Sequence, residues 1–283
     1  MTLMLDQVFP RAMSRIVPKL KASTPTVVAI WTLLSSKMEA LPIEQPKNVS
    51  KEFRRAKAIS GYTVISKLLE GDRLSMLEEP CENNSLTVGT VTLAGDDLIS
   101  LLHIFEATTF GYAVVEKPDK EKDPSLIFIR DLLDLYITGH IYSDLLVSDV
   151  TSSPIFSISR SARLKDVLRD MLKRKFRRAL LKDSERQIIT DRDILEFLFA
   201  NRRLEASAFD IVALEKALDK EVEIIKPTVA QKISRHDNLR TAAQSMIESG
   251  TSCVLSPSGL ITPWDLIMKP WRLGHLRVTS PSR

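Results

Sequence analysis

The sequence runs four times through one order of elements: strand, helix, strand, strand, helix. The clearest copy lies at 155–199. Ile155-Phe156-Ser157-Ile158 reads as a short strand, and Ser161 stands where the following helix, 162–174, needs a cap. In that helix Leu164, Val167, Leu168, Met171 and Leu172 fall at i, i+3, i+4, i+7 and i+8, which makes one apolar stripe at the helical period. Arg178-Ala179-Leu180-Leu181 and Gln187-Ile188-Ile189-Thr190 are strands joined by the polar turn 182–186. Asp191 to Phe199 is a short helix whose first-turn acids suit its dipole.

The same order returns at 231–269. There Asn238 to Ser249 is the helix, Gly250 its stop, and Trp264 to Met268 the closing helix. It returns again at 90–138, with the charged stretch Lys117 to Asp123 as a loop, and most faintly at 24–70, where the loop 44–55 is longer. The closing helices start at Thr63, Asp131, Asp193 and Asp265, at intervals of 68, 62 and 72 residues. A period this regular marks internal duplication. One copy alone leaves an apolar sheet face and helix stripes uncovered, so pairs are expected. Taken in sequence order, they give an N-terminal lobe, 1–142 (copies about 11–70 and 86–140), and a C-terminal lobe, 143–283 (copies about 146–199 and 226–270), with a basic tail at 270–283. A linking helix is predicted around Phe209 to Leu218. The fold class is α/β (α+β).

This pattern resembles the cystathionine-β-synthase (CBS) domain, a small regulatory repeat. The resemblance covers nearly the whole chain as four motifs. Its ligand signature is a strand ending in Ser or Thr, two further residues, and an Asp at the start of the closing helix. It stands as Ile188-Ile189-Thr190-Asp191-Arg192-Asp193 and as Leu260-Ile261-Thr262-Pro263-Trp264-Asp265. The resemblance implies that Asp193 and Asp265 take ribose hydroxyls and that Thr190 and Thr262 lie near phosphate. It also implies that the leading segment Thr151-Ser152-Ser153-Pro154-Ile155, with Pro154 and Ile155, borders adenine. Arg178 and Arg192 are candidate phosphate partners. The chemistry is suitable, because a carboxylate can accept two hydrogen bonds from a cis-diol and free N–H groups at a helix start suit an anion. Thr-x-x-Asp at a helix start is equally an ordinary capping sequence. Copy two keeps Asp131 but has Phe128 in place of Thr, and copy one has Ser60 and Thr63 with no acid. The first two copies are therefore expected to be structural or to form a contact surface.

Charge is uneven. Residues 1–143 hold 16 Lys and Arg against 18 acids, and residues 144–283 hold 24 against 18. Within 160–192 there are 12 basic residues and 5 acids, centred on Lys173, Arg174, Lys175, Arg177 and Arg178. The C-terminus adds Lys269, Arg272, Arg277 and Arg283 beside Trp271 and His275 and reads as an extended basic, aromatic tail. Such residues are either a solvated face or contacts to RNA phosphates and bases. No P-loop, GxSxG, HExxH or metal-ligand spacing is present, so catalysis and a metal site are not expected. Cys81 and Cys253 read as two ordinary buried thiols. No apolar run reaches the ~20 residues of a membrane helix. With no cationic leader before the first apolar residues, a cytoplasmic location is expected.

Two functions follow as expectations. The first is a non-catalytic, adenine-nucleotide-responsive factor that binds the ribosome or another structured RNA and inhibits translation. It would resemble the stand-alone tandem CBS proteins of archaea, which include ribosome-bound hibernation factors. The second is an adenylate-sensing regulatory subunit of an enzyme or transporter, since the gamma subunit of AMP-activated protein kinase likewise carries four CBS motifs. In both, AMP, ADP or ATP is a regulatory ligand and no cofactor is required.

Overall fold

A computed structural model describes residues 3–9, 15–44, 56–69, 74–92, 96–116, 125–199 and 211–279. Copy one holds helix α1 (Thr26–Ser35), strands β1 (Ala40–Ile43) and β2 (Lys57–Ser60), and helix α2 (Gly61–Leu69). Copy two holds β3 (Thr90–Thr92), α3 (Leu98–Thr108), β4 (Tyr112–Glu116), β5 (Ser125–Phe128) and α4 (Leu133–Ile137), the last entered through a 3-10 turn, Ile129–Leu132. Copy three holds β6 (Ser157–Ile158), α5 (Leu164–Arg174), β7 (Arg178–Leu181), β8 (Gln187–Thr190) and α6 (Asp191–Phe199). Copy four holds β9 (Gln231–Lys232), α7 (Leu239–Ser249), β10 (Val254–Ser256), β11 (Gly259–Ile261) and α8 (Pro263–Arg272).

The duplication is visible in the registers. In copies two, three and four the first strand pairs parallel with the second, as in Ser157 opposite Leu180, and the second pairs antiparallel with the third, as in Ile188 opposite Leu180. Copy one keeps the antiparallel pair, Ala40 opposite Ser60, and reduces the parallel one to a bridge between Leu20 and Ile43. Mixed sheets with helices on them are the expected α+β layout.

Local chemistry sets the helix ends. Asp97 and Asn238 cap α3 and α7 by accepting from the N–H groups of Ser100 and Thr241. Gly250 closes α7 at φ +66°, a left-handed angle that glycine adopts without penalty. Ser161 does not cap α5. Its hydroxyl bonds Ser159, and the helix begins two residues later than expected, after Arg163.

The chain divides into two compact units that interleave the copies. One comprises 18–87 and 156–229, so it holds copies one and three. The other comprises 1–17, 88–155 and 230–283, so it holds copies two and four. These units differ from the lobes 1–142 and 143–283 expected from sequence order. What gathers each unit is helix packing: α2 lies on α6 in one, and α4 lies on α7 in the other. The stripes predicted on the helices are the buried surfaces. Leu164, Val167, Leu168 and Met171 are buried with Val64, Ile65, Ile194 and Leu195. Leu239, Ala242, Ala243 and Met246 share a core with Leu133 and Tyr136. Gly61 permits the close approach of α2 and α6, because a Cβ there would stand 2.9 Å from Leu195 Cδ1. The helix predicted around 209–218 is present as Ile211–Leu218 and packs on α5 and α6.

The expected extended tail is instead structured over its described residues, 270–279, and 280–283 lie outside the described residues. Helix α8 runs on to Arg272, and Arg277–Val278 pairs antiparallel with Ile141–Tyr142. No helix among the described residues is long and apolar enough to cross a membrane, and no cluster there could hold a metal ion.

Candidate functional site

The Thr-x-x-Asp signature folds the same way in copies three and four. Where β8 meets α6, the Thr190 N–H and hydroxyl both donate to Asp193 Oδ2 at 2.8 Å, and the Asp193 N–H returns a bond to Thr190 Oγ1 at 3.1 Å. Where β11 meets α8, Thr262 donates to Asp265 Oδ2 at 2.9 and 2.7 Å and accepts from the Asp265 N–H at 3.4 Å. Both are reciprocal capping boxes. Capping occupies Oδ2 alone, so the second carboxylate oxygen decides whether anything else can be bound.

That oxygen has a different fate in each copy. In copy four, Asp265 Oδ1 accepts from Ser152 Oγ at 2.6 Å and faces Lys269 Nζ at 3.1 Å. Lys269 is fixed in place by Val150 O (2.6 Å) and Ser152 Oγ (3.1 Å). In copy two, Arg15 grips Asp131 with both guanidinium nitrogens, at 2.6 Å to Oδ1 and 3.1 Å to Oδ2, and stacks over the Phe128 ring at 5.2 Å. Copy one has no acid there, and Ser60 and Thr63 bond each other, both buried. In copy three, Asp193 Oδ1 accepts no hydrogen bond from any described residue. Burial raises the Asp193 pKa above the ordinary carboxylate value, and the negative charges of Asp191 and Glu196 add to that. The two Thr190 bonds on Oδ2 favour the charged form of the half-buried Asp193, but they do not offset its burial, and no described residue donates to Oδ1.

The other predicted residues divide. Arg178 sits in direct cross-strand register with Thr190, so the structure brings it beside the Thr190–Asp193 pair. Arg192 does not serve as a free phosphate partner. Its guanidinium donates to Leu34 O (3.3 Å) in the last turn of α1 and to Met38 O (3.0 Å) just beyond it, at the helix end where carbonyls run out of helical donors. Pro154 is exposed and Ile155 half-buried, and both belong to the unit of copy four. In that unit the leading segment is anchored by Ser152, whose N–H donates to Leu260 O and whose hydroxyl reaches Asp265. Ser152 and Lys269 were missed as partners of Asp265. The i, i+4 spacing of Asp265 and Lys269 on one helix was the readable signal. No local signal pointed to Arg15.

Much of the predicted basic surface is neutralised. Lys269 is held by Asp265, Val150 and Ser152, as above. Trp271 donates to Glu106 (3.4 Å) and meets His103 edge-on, Arg272 pairs with Glu106 (3.3 Å), and His275 bonds Asp144 (2.9 Å). Arg277 is exposed on its strand, and Arg283 lies outside the described residues. Arg177 pairs with Asp191 at 2.7 Å. Lys173, Arg174 and Lys175 remain exposed at the end of α5. Beside them Phe176, 40% exposed, stacks on Phe156, and Arg174 lies over the Phe156 ring at 5.4 Å.

Residues 147–200 match the family model of the CBS domain, a span that contains Thr190 and Asp193. That segment thus matches the CBS domain, and the mixed α+β layout of the described residues is consistent with the CBS-domain fold. A Methanocaldococcus jannaschii protein, proposed to be an archaeal homolog of g-AMPK, shares the fold at TM-score 0.74 and 19% identity over 95% of this chain and 100% of its own. An uncharacterized conserved protein from Pyrococcus horikoshii matches at TM-score 0.49 and 15% identity over 89% of this chain and 93% of its own. A Pyrobaculum aerophilum CBS domain protein complexed with AMP matches at TM-score 0.35 and 19% identity over 46% of this chain and 95% of its own. No curated protein matches the chain.

Proposed function

We propose that this chain is a non-catalytic regulatory protein that responds to an adenine nucleotide held by copy three. The observation that carries the reading is the open Oδ1 of Asp193, beside a carboxylate oxygen already fixed by Thr190. A ribose diol supplies two donors to such an acceptor. The start of α6 and Arg178, opposite Thr190, supply partners for phosphate. The CBS match over the same residues supports the assignment. Bound nucleotide would bias the protein between two states for which it has different affinities, and a partner would read the change. The fold shared with the M. jannaschii protein accords with a four-copy adenylate-sensing subunit. Calorimetric titration of the full chain with AMP, ADP and ATP should give saturable binding to at least one. Absence of heat with all three refutes the reading.

One observation favours RNA as the partner. Phe176 on Phe156, with Arg174, Lys173 and Lys175, is an exposed aromatic and basic face of the kind that stacks unpaired bases and meets phosphate. On this reading the protein sits on the ribosome or another structured RNA and restrains translation. Co-sedimentation with ribosomes should then fall steeply with salt. It should also be lost in Lys173→Glu/Lys175→Glu. Sedimentation unaffected by either removes RNA and leaves a protein partner.

A further inference from the structure

The four equivalent positions form a series in which the carboxylate is absent, clamped, open and clamped in turn. The clamps are unlike each other in origin. Arg15 comes from the segment that precedes α1, 116 residues from Asp131. Lys269 comes from the next turn of the same helix as Asp265. Yet both put a cation on the oxygen that the capping bond leaves over. Asp131 receives Arg15 on both oxygens and the Phe128 N–H on Oδ2. Asp265 is buried, with Thr262 on one oxygen and Ser152 and Lys269 on the other.

A ribose approaching either carboxylate would have to displace a charge-assisted bond with a neutral hydroxyl. Bonds of that kind are about twice as strong as neutral ones. At Asp265 it would also leave the Lys269 ammonium without its counter-charge. Among the described residues no cation bonds the Asp193 carboxylate: Arg178 stands opposite Thr190 across the sheet, and the charges of Asp191 and Glu196 act against the ionised form. Asp191 is itself engaged by Arg177.

We infer that Arg15 and Lys269 are built-in occupants of the copy-two and copy-four positions, so that one chain binds one nucleotide, at Asp193. The inference rests on the nucleotide reading given above. It assigns to Arg15 and Lys269 the role of excluding ligand. Four similar motifs thus yield a sensor with a single occupancy and no cooperativity between sites within a chain.

Stoichiometry tests this on the intact protein. Titration with AMP and with ATP, checked by native mass spectrometry, should give one nucleotide per chain. Asp193→Asn, which keeps the shape of the side chain, should abolish the binding signal. Two or more nucleotides per wild-type chain overturns the inference while leaving the nucleotide reading intact, whereas binding that survives undiminished in Asp193→Asn overturns both the inference and the placement of the nucleotide at copy three. No binding by the wild-type chain defeats that reading and the inference with it. The wild-type count depends on no variant, so a misfolded mutant does not weaken the test.

Discussion

Helix α8 contains a proline three-quarters of the way along it, and the structure shows what compensates. Pro270 has no N–H, so the bond that residue 270 would make to Leu266 O is missing. Tyr136, on α4 of copy two, donates its hydroxyl to that carbonyl at 2.8 Å. The phenol is 2% exposed, and burial pushes its pKa above the ordinary tyrosine value, so it stays a donor. Tyr136→Phe removes the donor and leaves a buried acceptor unpaired, which costs about 1–3 kcal/mol. At ~2–4 °C per kcal/mol this lowers Tm by a few degrees or more. The effect is specific to the proline. In a Pro270→Ala background the substituted residue supplies its own N–H to Leu266 O, and losing Tyr136's hydroxyl should cost much less. The assay is a double-mutant cycle by denaturant and thermal unfolding of the wild type, both single variants and the double. A coupling of at least ~1 kcal/mol is expected. Additivity within ~0.5 kcal/mol, the behaviour of independent sites, refutes the argument.

Further outcomes follow from the site and its surroundings. Asp193 has a raised folded pKa, so its protonated form is the one the fold favours. Its contribution to stability is full at low pH and is lost as pH rises from the ordinary carboxylate range through that raised value. Wild-type stability should therefore fall relative to Asp193→Asn across that window, and a pH-independent difference in denaturant midpoints would contradict it. Nucleotide affinity should weaken on acidification through the same window, because ribose donors prefer the carboxylate. Gly259 sits at φ +147°, and a Cβ there would stand 2.4 Å from Ser152 O. Gly259→Ala should destabilise the protein by at least ~1–3 kcal/mol in unfolding experiments, since a strained conformation and a backbone clash coincide. Both cysteines are buried, and burial raises the Cys81 pKa to about 11. A thiol reagent should label neither in the native protein at neutral pH, and both promptly in denaturant.

The fold was legible because its signals are local. Helix stripes, the turn at 182–186 and the strand ends each depend on residues a few positions apart. The closing helices were found to within a few residues, although α8 runs past Met268 because Tyr136 makes its proline tolerable. The Thr190–Asp193 and Thr262–Asp265 pairs were legible for the same reason, as capping boxes are four residues long. What decides between them is not local. Arg15 reaches Asp131 from 116 residues away. The acids that neutralise the C-terminal basic residues, Glu106 and Asp144, lie 166 and 131 residues from Arg272 and His275. A charge count along the chain saw an unbalanced tail where the folded protein has ion pairs.

The interleaving of the copies bears on how the chain leaves the ribosome that makes it. Helix α2 ends at Leu69, and its partner α6 begins at Asp191. At ~5–20 residues per second, the apolar face of α2 waits on the order of ten seconds for its cover. The unit built from 18–87 and 156–229 has all its parts once residue 229 has emerged. The other needs the last 54 residues, 230–283, before copy two can be covered. Synthesis thus completes one unit while half of the other is still exposed on the nascent chain. The most unburied apolar surface comes earlier still, after copy two has emerged and before copy three covers copy one, and that is when this protein offers most to a chaperone or an aggregation partner.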